Sequence, residues 1–261
     1  MAILEITQRD AVAELVMNAP ERLNALSDEM LAALQSTLDD LAETPSVRVI
    51  TLAGAGKGFC AGHDLRQMTA MRQAEDGGAA AFKDLFERCT NVMARIQSMP
   101  QPVIAQVHGI ATAAGCQLVA TCDLAVAAHG TRFGVNGVNI GLFCSTPMVA
   151  LSRNIPRKQA FEMLTTGEFI DTTRATELGL INRAVPAEQL SSATIALADQ
   201  IAGKLGSAVR IGKRAFYDQL QMSTAQAYAF TGDIMVKNMA NSDTIEGIDA
   251  FLEKRDPNWQ Q

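Results

Sequence analysis

The run His108-Gly109-Ile110-Ala111-Thr112-Ala113-Ala114-Gly115-Cys116-Gln117-Leu118-Val119-Ala120-Thr121-Cys122-Asp123 decides how this chain folds. It follows the hydrophobic segment Pro102-Val103-Ile104-Ala105-Gln106-Val107, so the pattern predicts a strand, a small-residue turn and then a helix. Ala113, Ala114 and Gly115 carry almost no side chain. That either lets a ligand approach the backbone or lets a buried helix pack tightly. The first amides of a helix lack intrahelical partners and carry the positive end of its dipole. Such a turn can bind an oxyanion through main-chain N–H groups.

A second segment repeats the arrangement. Residues 47–53 (VRVITLA) read as a buried strand, and GAGKGFCAGHDL at 54–65 follows as a glycine-rich turn. Two strand-end turns of this kind can supply one N–H each to a single carbonyl oxygen. Further strands are expected near 3–7, 11–18, 102–108, 123–128 and 180–185. They alternate with helices, which predicts an α/β fold of stacked strand–helix units. Ser27-Asp28-Glu29 is a helix start, with Met30, Leu31, Leu34, Leu38 and Leu41 as the apolar stripe. Residues 70–79 have the composition of a surface loop or flap beside the first turn. Beyond about residue 187 the pattern is almost wholly helical, and no Pro/Ser/Gly linker sets it apart.

Composition narrows the function. The 261 residues are 48% hydrophobic but only 5% aromatic, so Ala, Leu, Val, Ile and Met must build the core. There is no apolar run of about 18 residues, which predicts no membrane span. The net charge of −6 argues against a nucleic-acid partner. Five cysteines and three histidines without metal-ligand spacing suggest reduced thiols and no metal site. With no signal or transit segment seen at the start, the expected location is cytoplasmic.

The runs KGFCAGHDL (57–65), HGIATAAGCQ (108–117), CDLAVA (122–127), TGEFI (166–170), ELGLINRAVP (177–186) and FLEKRDPNW (251–259) occur in one order along nearly the whole chain. In this the chain resembles the crotonase superfamily, the enoyl-CoA hydratase/isomerase proteins. The resemblance implies a ClpP-like right-handed spiral of ββα units. Residues 1–190 would form the core with an acyl-CoA pocket, and 191–261 a helical section that builds a homotrimer or a dimer of trimers. It implies a coenzyme A thioester as substrate, with no permanently bound cofactor. By position, the backbone N–H groups of His63 and Ala114 would form the oxyanion hole. Ala61, Asp64 and Leu65 would line adenine and pantetheine, and Arg22 would lie near the CoA phosphates. Lys254 would reach a neighbouring subunit's ligand.

The same resemblance places two proton-transferring glutamates at positions that here are Gln117 and Gly137. An amide does not exchange protons near neutral pH, and glycine has no side chain. Hydration by the two-glutamate route is therefore not expected. Cys144 is a candidate nucleophile or an inert buried thiol, and Ser145 occupies a position where relatives carry an aspartate. The side chains of His63 and Asp64 are further candidates, with local bonding the simpler role for Asp64. The reactions left open are decarboxylation of a malonyl-type thioester and thioester hydrolysis with a water held by Gln117. The alternative is a non-catalytic acyl-CoA-binding or assembly protein.

Overall fold

In the computed structural model, which describes residues 2–259, the strands are β1 (Leu4–Arg9), β2 (Val12–Met17), β3 (Val49–Gly54), β4 (Val103–Val107), β5 (Ile110–Thr112), β6 (Leu124–Ala128), β7 (Arg132–Gly134) and β8 (Arg183–Val185). Six form one sheet in the order β1-β2-β3-β4-β6-β8, while β5 and β7 form a separate parallel pair. The β1–β2 pairing is antiparallel and the other pairings are parallel. The six expected strands all form. The two three-residue strands of the second sheet were not anticipated, because three residues are too few to show a period.

Helices α1 (Asp28–Ala42), α2 (Leu65–Met71), α3 (Ala79–Ser98), α4 (Ala114–Thr121), α5 (Pro147–Asn154), α6 (Arg157–Thr166) and α7 (Thr172–Leu178) intervene between strands. They are followed by α8 (Leu190–Ala202), α9 (Gly206–Gln219), α10 (Thr224–Met239) and α11 (Ser242–Glu253). Ser27 caps α1 by accepting from the Met30 N–H at 3.2 Å, and Met30, Leu31, Leu34 and Leu38 are buried as the stripe requires. The expected loop at 70–79 is shorter than its composition suggested. Helix α2 runs to Met71, and Asp76 starts α3 by accepting from the N–H groups of Gly78 and Ala80, both at 2.9 Å.

Alternation along the strands gives the main sheet two apolar faces. Ile50 and Leu52 enter the large core with α1, α3 and α4, whereas Val49, Ile104 and Val126 pack against Leu190, Leu197 and Ala198 of α8. The boundary expected at residue 190 thus falls at the start of a helix that still covers the sheet.

Helix α9 is tied to the core by a buried polar knot. Asp123 accepts from Lys213 Nζ at 2.7 Å, Tyr217 OH at 2.8 Å and the Val103 N–H at 2.7 Å. The Lys213 ammonium also donates to the carbonyls of Ile96 and Gln101. Every proton of this buried lysine is thereby used, which is the condition for burying such a charge. Beyond α9 the arm changes character. Helix α10 has no buried residue, and Tyr228, Met235 and Val236 are exposed.

Candidate functional site

The two turns lie side by side. Residues 58–62 and 109–113 are joined by the Cys60 N–H to Ile110 carbonyl bond at 3.2 Å and the Thr112 N–H to Cys60 carbonyl bond at 3.0 Å. A methyl group placed on Gly62 would stand 3.3 Å from the Ala114 nitrogen, so the residue before His63 abuts the head of α4. Gly115 settles its own two readings in favour of packing. A Cβ there would run into the Cys60 carbonyl, so this glycine permits the close approach of α4 to the first turn.

Ala113 is the unusual residue. It precedes α4 with φ 51° and ψ −121°, a backbone conformation that a Cβ makes unfavourable. Ala114 is the first residue of α4, where an N–H has no intrahelical partner. Among the described residues, neither the His63 nor the Ala114 N–H donates to a backbone carbonyl. Together these features leave two neighbouring main-chain donors free at the head of a helix.

Around them the sequence candidates divide. The His63 ring is turned into the protein, with Nδ1 3.5 Å from the Leu26 carbonyl and its face at an angle to Phe86. Burial, and to a smaller extent the nearby Arg88 charge, lower its pKa, so the imidazole is neutral near pH 7. Asp64 is buried as the cap of α2, accepting from the N–H groups of Arg66 at 2.8 Å and Gln67 at 3.3 Å. Its other oxygen takes Arg22 Nη1 at 3.2 Å. Ala61 hydrogen-bonds through its N–H to the Leu23 carbonyl, and Leu65 is exposed at the start of α2. Lys254 is far along the chain at the end of α11.

Gln117 is buried one turn into α4, and its Oε1 has no hydrogen-bond partner among the described residues. The segment bearing Gly137 is brought to the same place. The Ala113 N–H donates to the Gly134 carbonyl at 2.9 Å, and the Thr112 hydroxyl donates to Asn136 Oδ1 at 2.6 Å. Residues 136–140 then form a short 3-10 helix. Gly137 is boxed in: a Cβ would collide with the Leu142 carbonyl and stand 2.8 Å from Cys144 Sγ. The backbone at Gly137 is not in the left-handed region, so contact alone closes this position to a side chain. Cys144 is buried and its thiol pKa is pushed up by that burial, which keeps it a thiol and a poor nucleophile. Ser145 is exposed, its hydroxyl donating weakly to the Phe143 carbonyl at 3.4 Å.

Asn24 was quoted in no candidate set, yet it holds the first turn in shape. Fully buried, it donates through Nδ2 to the carbonyls of Ala55 and Gly58, each at 2.9 Å, and accepts from the Ala19 N–H. Its own left-handed backbone, φ 53°, is one asparagine tolerates, which was the available signal. Volume does not locate the site. A cavity of about 1140 Å³ lies instead beside α9 and Asp123, lined by Tyr217, Arg214 and Arg157 among others.

Comparison with known proteins gives this geometry its context. Residues 7–261 match the family model described as enoyl-CoA hydratase/isomerase. Enoyl-CoA hydratase domain-containing protein 3, mitochondrial, from Homo sapiens is 44% identical over 252 residues, covering 97% of this chain and 82% of its own. Its Xenopus laevis counterpart is 43% identical over 97% of this chain and 85% of its own. A crystal structure of an enoyl-CoA hydratase from Mycobacterium smegmatis superposes with a TM-score of 0.95 at 50% identity, covering 99% of both chains. The expected cytoplasmic location is overturned, since these vertebrate relatives are named mitochondrial. Five free cysteines fit any reducing compartment and give no address within the cell.

Proposed function

The chain belongs to the enoyl-CoA hydratase/isomerase family, and from that premise we propose that it binds an acyl-CoA thioester with the carbonyl oxygen between the N–H groups of His63 and Ala114. Two preset donors at a helix head stabilise the negative charge that develops on that oxygen in an enolate or tetrahedral intermediate. The observation that carries this reading is Ala113, held at φ 51° so that α4 begins with a free amide against the first turn. The vertebrate relatives' names point to a mitochondrial setting.

The reaction favoured here is one that needs no glutamate pair. Gln117 carries no exchangeable acid, and the position of Gly137 is closed by the Leu142 carbonyl and the Cys144 thiol. Decarboxylation of an α-carboxylated acyl thioester meets this condition. The bond from the α-carbon to the carboxylate breaks, its electron pair enters the enolate, and CO₂ leaves. A proton from water then adds at the α-carbon. Assembly as a homo-oligomer through the exposed apolar arm, in the trimeric manner that the family resemblance implies, completes the reading.

Infrared difference spectra of a bound thioester carrying a ¹³C-labelled carbonyl test the first claim. The carbonyl band is expected to move to lower frequency on binding. A band at its solution position would show that the two amides do not polarise the thioester.

A further inference from the structure

Three asparagines on the first turn and on the segment after β7 are engaged differently. Asn24 uses its whole amide, donating twice through Nδ2 and accepting from the Ala19 N–H. Asn139 donates through Nδ2 to the Gly167 carbonyl at 3.3 Å. Asn136 has only its oxygen engaged, by the Thr112 hydroxyl at 2.6 Å, and among the described residues its Nδ2 meets no acceptor.

The backbone sets this placement. Strand β5 pairs with β7 so that Thr112 lies opposite Gly134, and Asn136 begins the 3-10 helix two residues later. Thr112 is buried, two residues before Ala114. A buried hydroxyl that donates to Oδ1 fixes the plane of the Asn136 amide, and with it the direction of both Nδ2 hydrogens. The half-buried Asn136 therefore offers an aimed donor close to the head of α4. An amide with a purely structural role would use its nitrogen as Asn24 does.

Gln117 is a second, independent sign that this helix head takes a ligand. It lies three residues after Ala114, hence on the same face of α4, and helical side chains lean towards the N-terminus. It is only 5% exposed, and its Oε1 has no partner among the described residues. Such an acceptor calls for a donor brought by a ligand or by the ligand's water.

We propose that Asn136, aimed by Thr112, is a specificity-determining residue that holds a carboxylate on the α-carbon of the bound thioester. The inference rests on the acyl-CoA reading above. With Oδ1 occupied, Asn136 presents donors only, as do the His63 and Ala114 N–H groups. The ligand must then bring a second acceptor besides its carbonyl oxygen, and a carboxylate makes the stronger, charge-assisted bond. A neutral partner also suits the loss of CO₂. As the bond to the carboxylate breaks, negative charge moves towards the thioester oxygen. A cation at the carboxylate would stabilise the starting state more than the transition state, and an amide does so less. Asn136 is the contact and Thr112 is a positioning residue.

Calorimetric titration of the full-length protein with amide analogues of malonyl-CoA and butyryl-CoA, nitrogen replacing the thioester sulfur, tests it. An amide is a poor electron sink, so neither analogue reacts during the titration. The parent should bind the malonyl analogue more tightly. Asn136→Ala should weaken that binding about tenfold, the scale of one charge-assisted hydrogen bond, and leave the butyryl analogue unaffected. Asn136→Asp keeps the shape and the Thr112 bond but sets a carboxylate against the ligand's own, and it should reverse the preference. Thr112→Val should weaken the malonyl analogue alone, and Thr112→Ser, which keeps the hydroxyl, should restore it. Unchanged binding by Thr112→Val would disprove the aiming. Equal affinity of the parent for both analogues, or an equal loss of both in Asn136→Ala and Asn136→Asp, would overturn the inference and leave the acyl-CoA reading standing. A parent protein that binds neither analogue would overturn that reading and this one together.

Discussion

The two halves of the proposed site, one for an oxyanion and one for proton transfer, are built from different materials. His63 and Ala114 offer backbone N–H groups without a backbone acceptor, in turns fixed by strand pairing between 58–62 and 109–113 and by the buried amide of Asn24. The positions of Gln117 and Gly137 would contribute side chains, and one is an amide while the other is sealed by its neighbours. A backbone device survives changes of side chain provided the turns keep their shape. A side-chain device is lost with one substitution, and at Gly137 neighbouring atoms occupy the space a side chain would need.

The largest test of this contrast strikes the backbone half. Gly115→Ala puts a Cβ against the Cys60 carbonyl, a backbone atom that cannot swing aside. Urea unfolding should show a loss of about 3 kcal/mol or more, beyond the usual range for overpacking. A loss under about 1 kcal/mol would mean that the two turns are not locked together.

The side-chain half is tested by restoring acids. Gln117→Glu should fold, whereas Gly137→Glu should lose about 2–3 kcal/mol through contact with Leu142 and Cys144. Crotonyl-CoA hydration, followed by absorbance, should stay far below an ordinary turnover of about 10 s⁻¹ in the parent and in the double variant. Hydration at that rate by either protein would show that the boxed position is not the barrier.

The third test uses pH. The folded pKa of His63 is lowered, so the unfolded chain takes up its proton first as pH falls. Its contribution is therefore complete above the unfolded value of about 6.5 and declines below it, until the lower folded value is passed. The parent should lose stability over that interval. His63→Phe should remove this part of the slope, and an unchanged slope would show that the ring is not the group responsible.

The smallest effect sharpens the comparison. Ala113→Gly relieves a positive φ and should stabilise by about 0.5–1 kcal/mol in the same unfolding assay. Destabilisation would mean that Ala113 contributes more by packing than it costs by strain.

These contrasts also explain what the sequence could and could not disclose. The long strands showed because burial on two faces writes a run such as VITLA, and both turns showed because small residues follow such runs. The helix start at Ser27 showed through its cap. The closure over Gly137 did not, because its causes are Leu142 and Cys144, whose approach depends on how the chain turns back after the 3-10 helix at 136–140. Asp123 stood within a quoted motif, but its partners Lys213 and Tyr217 are some ninety residues away, beyond any local pattern.

That knot has a consequence for the order in which the chain can be completed. Asp123, together with the carbonyls of Ile96 and Gln101, belongs to the first half of the chain, and their partner Lys213 emerges late in synthesis. Until it does, a nascent chain that has assembled its sheet has three acceptors at the sheet's end that must keep water as their partner. Dry closure of that end must wait for α9. A ribosome-bound chain stopped before residue 213 should therefore be open to protease near Asp123, and protection should appear once the lysine is free of the exit tunnel.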